Sequence, residues 1–164
     1  MNKSVTIPTI PSVATIPPGL IAKPGLILNG GFELGTEGVV PTYWRELQAS
    51  GNKSSVRSHS GAFSLLLSGS DVDVDNVGYI AQRTAGVSYT FSFWYYIVSG
   101  TLIAWQADGS GVGDHVYEAQ TGDPNQWNYA TYTFTETETG NFGFTAFISE
   151  SATVEIYVDD ASLG

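Results

Sequence analysis

The sequence predicts an all-β fold: an antiparallel two-sheet β-sandwich or jelly roll, preceded by an extended, proline-rich N-terminal arm. From Leu26 onward, apolar and polar residues alternate in short segments rich in β-branched and aromatic side chains, which is the pattern of strands with one buried face. Turn-forming residues separate these segments at spacings of about 8–12 residues, as in sandwiches and jelly rolls. No window has the apolar spacing of an amphipathic helix.

Seven segments have strand character. They are, in chain order, residues 62–69, 77–83, 89–98, 101–107, 127–134, 141–148 and 152–160. Small and polar residues supply turns between the later ones, at Ser99-Gly100, Asp108-Gly109, Gly122-Asp123-Pro124 and Thr139-Gly140-Asn141. We therefore assign residues 26–164 to one sandwich domain and residues 1–25 to the arm.

Composition and charge narrow the range of partners. The chain has 164 residues, of which 42% are hydrophobic, and this is enough to bury one core. It has no cysteine, so neither disulfides nor thiolate–metal sites stabilise it. Residues 1–26 carry two lysines and no acid, giving +2, while the remaining four basic and sixteen acidic residues give −12. We expect neither nucleic acid nor an anionic membrane surface as a partner, because this acidic body would repel both.

The arm repeats in threes. Residues 6–17 read Thr-Ile-Pro, Thr-Ile-Pro, Ser-Val-Ala, Thr-Ile-Pro, and a polyproline II helix has three residues per turn. In that geometry the apolar residues fall on one edge, which consists of Ile7, Ile10, Val13 and Ile16. The repeat spans ~37 Å at ~3.1 Å per residue and forms no core of its own. We therefore expect the apolar edge to bind its own sheet, a sister subunit or another protein. Its prolines exclude a secretory signal.

Six segments carry a family resemblance. They are LILNGGFELG (26–35), YW (43–44), SHSGAFSLLLSG (58–69), AGVSYTFSFWYYIVSGT (85–101), QWNYATYTFT (126–135) and VEIYVDDASL (154–163). In this order they resemble the landmarks of the jelly-roll, galactose-binding-like carbohydrate-binding modules that are often attached to xylanases and related glycanases. The resemblance covers about residues 26–164 and leaves the arm outside. It implies the sandwich but not a function, because this fold is reused in adhesion, receptor-binding and virion surface proteins.

The resemblance also implies a structural calcium site where the two ends of the domain meet. The matching ligands are Glu33, Asp159 or Asp160, and backbone carbonyls near Gly31 and in the turn 58–62. Calcium takes about six to eight oxygen ligands and accepts backbone carbonyls. The alternative is that the three acids only cap turns at the domain edge.

A further acidic run, DVDVDN (71–76), does not predict a metal loop. An EF-hand needs a glycine and a glutamate where this chain has Asn76 and Gln82. In an extended chain the aspartates fall on one face. We interpret the run as a solvated loop or a charged strand edge.

Sugar binding requires aromatic faces that stack on pyranose C–H groups, together with polar groups for the hydroxyls. In the segment 89–98, alternation separates Phe91 and Phe93 from Trp94 and Tyr96. If the phenylalanines are core residues, the other two rings face outward or into a groove.

We expect the next strand to complete this site. The predicted carbohydrate-binding residues are Trp94, Tyr96, Trp105 and Gln106, with the last two as neighbours of the first two. The alternative is that these aromatic residues are core or subunit contacts, since large rings dominate both. We expect Trp44 and Trp127, which match framework positions, to be structural.

No motif indicates catalysis. His59 and His115 are the only histidines in the sequence, and neither lies in a nucleophile or zinc motif. Nothing in the sequence picks out a pair of carboxylates for glycoside hydrolysis. We therefore expect a protein that is not an enzyme.

The arm and the sandwich together predict a structural or interaction protein. The first interpretation is a virion surface component of a phage, either a capsid decoration or cement protein or a tail-associated protein. Its arm would dock on other protein subunits, with a homo-oligomer and a glycan as further partners and calcium as a structural cofactor. The alternative is an extracellular, stand-alone carbohydrate-binding module that recognises a polysaccharide.

Overall fold

Strands make up the regular structure of the part of the chain that the computed structural model describes, residues 27–46, 51–69, 75–108, 114–137, 143–149 and 153–164. In chain order the strands are β1 Arg45–Glu46, β2 Gly51–Ser54, β3 Ser64–Gly69, β4 Asp75–Ala81, β5 Ser88–Ser99, β6 Leu102–Asp108, β7 Asp114–Ala119, β8 Trp127–Thr135, β9 Gly143–Ser149 and β10 Val154–Leu163. Within these ranges no helix is long and apolar enough to cross a membrane.

The strands form two five-stranded sheets, and every pairing is antiparallel. Sheet A has the order β1-β4-β9-β6-β7, and sheet B has the order β2-β3-β10-β5-β8. Neighbours in a sheet are often distant in sequence, as in a jelly roll. The predicted all-β, two-sheet antiparallel fold is confirmed. The arm lies outside the described residues.

The core lies between the sheets and follows from alternation along each strand. On β5 the buried residues Tyr89, Phe91, Phe93 and Tyr95 alternate with more exposed ones, because successive side chains of a strand point to opposite faces. The rings of Phe93 and Phe147, one from each sheet, meet with centroids 5.0 Å apart. The sandwich is therefore held together by aromatic packing between its sheets.

Three strands were not predicted from the sequence. The strand β1 has only two residues, β2 is the polar segment GNKS, and β7 is DHVYEA, whose alternation is hidden by its acidic residues. They lie at sheet edges, where a strand needs less apolar surface because only one neighbour pairs with it. The predicted segments correspond to the other seven strands.

The two ends of the domain are joined by direct contacts. The Ala161 N–H donates to the Gly30 carbonyl at 2.9 Å. Ile27 is buried in the core, and the Leu28 N–H donates to the Tyr79 hydroxyl of β4 at 3.1 Å. Leu28 is therefore attached to sheet A.

Some predicted features lie outside the described residues. These are the apolar edge of the arm, residues 71–74 of the acidic run and the turn at 139–141. Asp75 and Asn76, the end of the acidic run, belong to β4 and pair with Ser149 and Ile148 of β9. The interpretation of the other features stays a prediction.

Candidate functional site

The four residues predicted to bind sugar do not form one site. Trp94 and Tyr96 belong to β5 of sheet B, whereas Trp105 and Gln106 belong to β6 of sheet A. The expectation that they are neighbours is wrong, because β5 and β6 are not a hairpin. The chain crosses from one sheet to the other at Gly100, whose φ of 92° a glycine adopts without strain.

The outer surface of sheet A, which we call face A, carries an aromatic pair. Trp105 of β6 is partly buried and lies directly opposite Tyr117 of β7, which is 50% exposed. On the other side of Trp105, in the same row across the sheet, are the small residues Ala146 and Gly78. Opposed side chains on neighbouring strands lie within about 5 Å of each other, so the two rings stand side by side.

The rest of face A is apolar. Ile103, Ala146 and Ile148 form a buried cluster that is separate from the main core, and Trp105 packs against it. Ile80 of β4 is also on this face and is 43% exposed. Face A therefore combines an aromatic pair with an aliphatic floor.

Gln106 is not on face A, which corrects the sequence prediction for this residue. Its side chain is fully buried between the sheets, where its Oε1 accepts hydrogen bonds from Arg83 and from Thr145 at 2.9 Å. Alternation requires this placement, because adjacent residues of a strand point to opposite faces and Trp105 points outward. Gln106 cannot contact a sugar at the surface.

Arg83 is the centre of a buried polar network that sequence analysis missed. It donates to Thr145 Oγ1 at 2.8 Å and to the Ala107 carbonyl at 3.2 Å. It also lies 3.7 Å from a carboxylate oxygen of Glu136, and both side chains are at most 1% exposed. Burial lowers the pKa of Arg83 to about 10, against the opposing effect of Glu136. The arrangement is structural, since it lies inside the sandwich.

The outer surface of sheet B, which we call face B, carries Trp94 and Tyr96. The His59 ring stacks on Trp94 at 3.9 Å between centroids, with an angle of 13° between the planes. The Arg57 guanidinium lies 4.5 Å from the centre of the Tyr96 ring. Both partners come from the segment 55–63 that joins β2 to β3, so Trp94 and Tyr96 hold this segment on the sheet.

Face B also has aromatic rings at its margin. Tyr129 of β8 is 54% exposed and meets Trp94 at 5.1 Å between centroids. Trp127 makes edge contacts with His59 and Tyr96 at 5.5 and 5.6 Å, which agrees with its expected structural role. Face B is therefore an alternative aromatic surface, with its innermost rings already in contact with side chains of the domain.

The predicted calcium ligands lie around the turn 58–62. Asp159 Oδ2 accepts the N–H groups of His59 and Ser60 at 2.8 and 3.1 Å. Asp160 contacts the His59 ring and accepts the Ser60 hydroxyl at 2.7 and 2.6 Å. On the other limb of the turn, Glu33 Oε1 accepts the N–H of Ala62 at 2.8 Å. The structure thus connects all three acids to one turn.

These residues fit calcium in their donor chemistry, since calcium takes carboxylate and carbonyl oxygens. A Cβ built on Gly31 would lie 3.6 Å from Asp160 Oδ1 and 4.0 Å from Asp159 Oδ1, so these three residues are adjacent. Burial raises the pKa of Asp159 to about 6. The described residues hold no group of three or more histidine, cysteine or acidic side chains arranged for a metal, so backbone carbonyls would have to complete the shell.

Sequence analysis missed Tyr117, the partner of Trp105. The signal was present in HVYEA, where one aromatic residue follows a buried valine. It was too short to identify a strand, because Val116 is the one buried hydrophobic residue of that segment.

The chain matches the family described as "Carbohydrate binding domain" over residues 24–158. Its fold is similar to bacteriophage CBA120 tailspike protein 4, with a TM-score of 0.68, 16% identity and coverage of 84% of this chain but only 21% of that one. A family 61 module in complex with β-1,4-galactotriose gives a TM-score of 0.64 and 21% identity, with coverage of 87% and 99%.

A third similar structure is the C-terminal family 22 module of Clostridium thermocellum Xyn10B, with a TM-score of 0.60, 18% identity and coverage of 83% and 93%. No curated protein matches the sequence. At these identities the solved structures show the fold alone, whereas the family match extends over most of the sandwich. The chain belongs to the carbohydrate binding domain family, which is defined by binding and not by catalysis.

Proposed function

We propose that the protein is a non-catalytic carbohydrate-binding module that binds a neutral glycan on face A through Trp105 and Tyr117. The observation that supports this most directly is the side-by-side placement of the two rings on β6 and β7, with Tyr117 half exposed. Aromatic rings supply a large, rigid and partly polar contact surface. Two adjacent rings present a platform of the size that one or two pyranose rings require.

Charge selects the kind of glycan. The body of the protein carries a net charge of −12, and like charges disfavour an acidic ligand over the whole surface. Among the described residues, the floor of face A beside the pair is apolar and consists of Ile103, Ala146 and Ile148. Stacking would therefore dominate over hydrogen bonding, which favours a neutral, extended polysaccharide and an affinity that depends on the number of rings engaged.

Face B is the less favourable surface for a sugar because of what its innermost rings contact. On face B, Trp94 and Tyr96 are in contact with His59 and Arg57 of the domain, so a sugar would have to displace these partners or bind only at the margin.

Replacing Trp105 with alanine is expected to weaken glycan binding by roughly 30-fold, the effect of losing a stacking residue at the centre of an interface. The probes are β-1,4-galactotriose and xylan, neutral glycans named for similar structures, measured by calorimetry and affinity electrophoresis. Tyr117→Ala should show a smaller loss in the same direction. Each variant should keep the far-ultraviolet dichroism of the folded parent, because both residues lie outside the main core.

The matched control is Tyr129→Ala on face B, which removes an equally exposed ring and should leave binding unchanged. Loss of binding in Tyr129→Ala together with retention in Trp105→Ala would transfer the site to face B. A parent protein that binds no neutral polysaccharide in either assay would refute the proposed function.

A second candidate function is a virion surface protein, such as a capsid decoration, cement or tail-associated protein. Similarity of fold to a phage tailspike favours it, and a domain on a virion surface can also bind glycans. This function requires the arm to contact other subunits through Ile7, Ile10, Val13 and Ile16, either in a homo-oligomer or on a partner. It places the protein on the virion, whereas the first function places it outside the cell.

We also propose that calcium stabilises the domain through Asp159, Asp160 and backbone oxygens near Gly31, with Glu33 fixing the adjoining turn. A ligand at a hundredfold excess over its Kd adds about 2.7 kcal/mol, so the melting temperature should rise by several degrees in calcium relative to chelator. Asp160→Asn should reduce this difference. An equal response in parent and variant, or none in either, would argue against calcium at this corner.

A further inference from the structure

Face A is more apolar than a solvated sheet requires. An antiparallel sheet with one face in water alternates apolar residues inward with polar residues outward. In the central strands of sheet A, β6 and β9, both faces are apolar: Leu102 and Phe147 point into the core, while Ile103 and Ile148 point outward. This is the composition of strands that are covered on both sides.

The outward residues are buried to the same degree as the core. Ile103 is 4% exposed, Ile148 is 5% exposed and Ala146 is fully buried. Among the described residues, Trp105 packs against this cluster from its margin. An apolar cover over face A would account for the burial, and extended apolar surfaces of this kind mark sites of interaction.

The arm starts where it can reach this face. Ile27 is buried and Leu28 is hydrogen bonded to Tyr79 of β4, and β4 neighbours β9 in sheet A. The 26 residues that precede Ile27 are apolar and proline-rich. The distance from β4 to β7 is three strand spacings, about 14 Å. Eleven residues in polyproline II geometry reach ~34 Å, so Ile16 is within range of every strand of face A.

The repeat of the arm matches the spacing of the sheet. In polyproline II geometry an apolar residue recurs every ~9.3 Å, and two strand spacings are about 9.6 Å. If the arm crosses the strands, its apolar edge therefore meets every second strand in the same way. Charge also favours this contact, because the arm carries +2 and the body −12.

We infer that residues 5–25 of the arm bind to face A of their own chain, with the apolar edge (Ile7, Ile10, Val13 and Ile16) lying across the strands and part of it packed against the cluster of Ile103, Ala146 and Ile148. The tether makes this an intramolecular contact, so a high effective concentration favours the chain's own arm over that of another copy. The inference depends on the composition and burial of face A, and not on glycan binding. If a glycan also binds face A, the arm competes with it.

Because the sequence contains no cysteine, a single introduced cysteine can carry a spin label at one chosen position. Ser12→Cys, on the hydroxyl edge of the arm, carries a nitroxide label without altering the apolar edge. In the full-length protein, backbone amide signals of β6 and β9 should broaden, at positions 103–105 and 146–148, while those of β8 at positions 129–133 on face B should not. Adding Ile10→Asp and Ile16→Asp should abolish the broadening, because two charges would have to be desolvated.

Mixing samples with different isotopes distinguishes binding of the chain's own arm from binding of the arm of another copy. Nitroxide-labelled protein that contains no nitrogen-15 is mixed with protein that contains nitrogen-15 but carries no nitroxide. If each arm binds its own chain, the signals of the nitrogen-15 protein should not broaden in the mixture. Broadening only in the mixture would overturn the inference and favour arm exchange between copies, one of the two arrangements that the virion surface function allows. Broadening on β8, or none on either sheet with the label at Ser12→Cys and again at Thr15→Cys, would also overturn it.

No sugar is present in this measurement. If the nitroxide does not broaden the signals of β6 and β9 but the protein binds glycan, the inference is rejected and the proposed function is not. The converse result, arm contacts in the parent with no glycan binding even in the variant with Ile10→Asp and Ile16→Asp, whose arm no longer covers face A, would reject the proposed function alone.

Discussion

Replacement of Arg83 by alanine is expected to lower the free energy of unfolding by about 3–5 kcal/mol, the cost of breaking a buried ion pair by removing one partner. Arg83 and Glu136 are both almost completely buried, with 3.7 Å between their charged groups. Without the guanidinium, the buried carboxylate loses its arginine counter-charge and keeps the His115 ring nitrogen at 3.0 Å, while Gln106 and Thr145 lose a shared donor. Urea unfolding followed by tryptophan fluorescence measures the change.

Two controls separate the loss of charge pairing from the loss of volume. Arg45→Ala changes an exposed arginine on β1 and should change stability by no more than about 0.5 kcal/mol. Adding Glu136→Gln to Arg83→Ala removes the buried charge that has lost its arginine partner and should recover part of the loss. If the double variant is less stable than Arg83→Ala, the carboxylate is not the source of the penalty.

Replacement of Gly30 by alanine is expected to destabilise the protein by roughly 1–3 kcal/mol or more, as overpacking does in a well-packed core. A Cβ at this position would lie 1.8 Å from the Ala161 carbonyl oxygen, and a backbone atom cannot rotate away as a side chain can. The two residues are also hydrogen bonded, Ala161 N–H to Gly30 carbonyl. Relief of the clash would therefore separate the two ends of the domain.

Thermal unfolding of Gly30→Ala beside Gly164→Ala provides the comparison, because a Cβ on Gly164 meets nothing within 4 Å. Gly164→Ala should melt like the parent. A Gly30→Ala protein with unchanged melting would mean that the closure between residue 30 and β10 does not contribute to stability. A large loss of calcium response in this variant would further support calcium at the same corner.

The sequence by itself determined the fold class and the composition of the core. In β5, alternation alone separated Phe91 and Phe93 from Trp94, because the two-residue period of a strand is a local property that needs no partner. The structure shows that the phenylalanines are on the buried face. The opening and closing segments of the domain likewise identified the family, which the match over residues 24–158 confirms.

Edge strands and buried polar residues could not be predicted from alternation along the sequence. The strand β7 has a single core residue, Val116, so its sequence resembles a loop, and Tyr117 was overlooked with it. Arg83 follows β4, and nothing in the neighbouring sequence distinguishes it from an exposed arginine. It is buried only because Gln106 and Thr145 from two other strands meet at its guanidinium.

Only the tertiary structure decided which candidate residues share a surface. Trp94 and Trp105 lie on consecutive strands, yet the turn at Gly100 carries the chain from sheet B to sheet A. Periodicity tells which residues of one strand share a face, but the sheet to which a strand belongs depends on pairing with strands far along the chain, here β5 with β10 and β6 with β9. The same pairing placed Tyr117 beside Trp105 and enclosed Gln106 between the sheets, because contacts between distant segments form only when the whole sandwich closes.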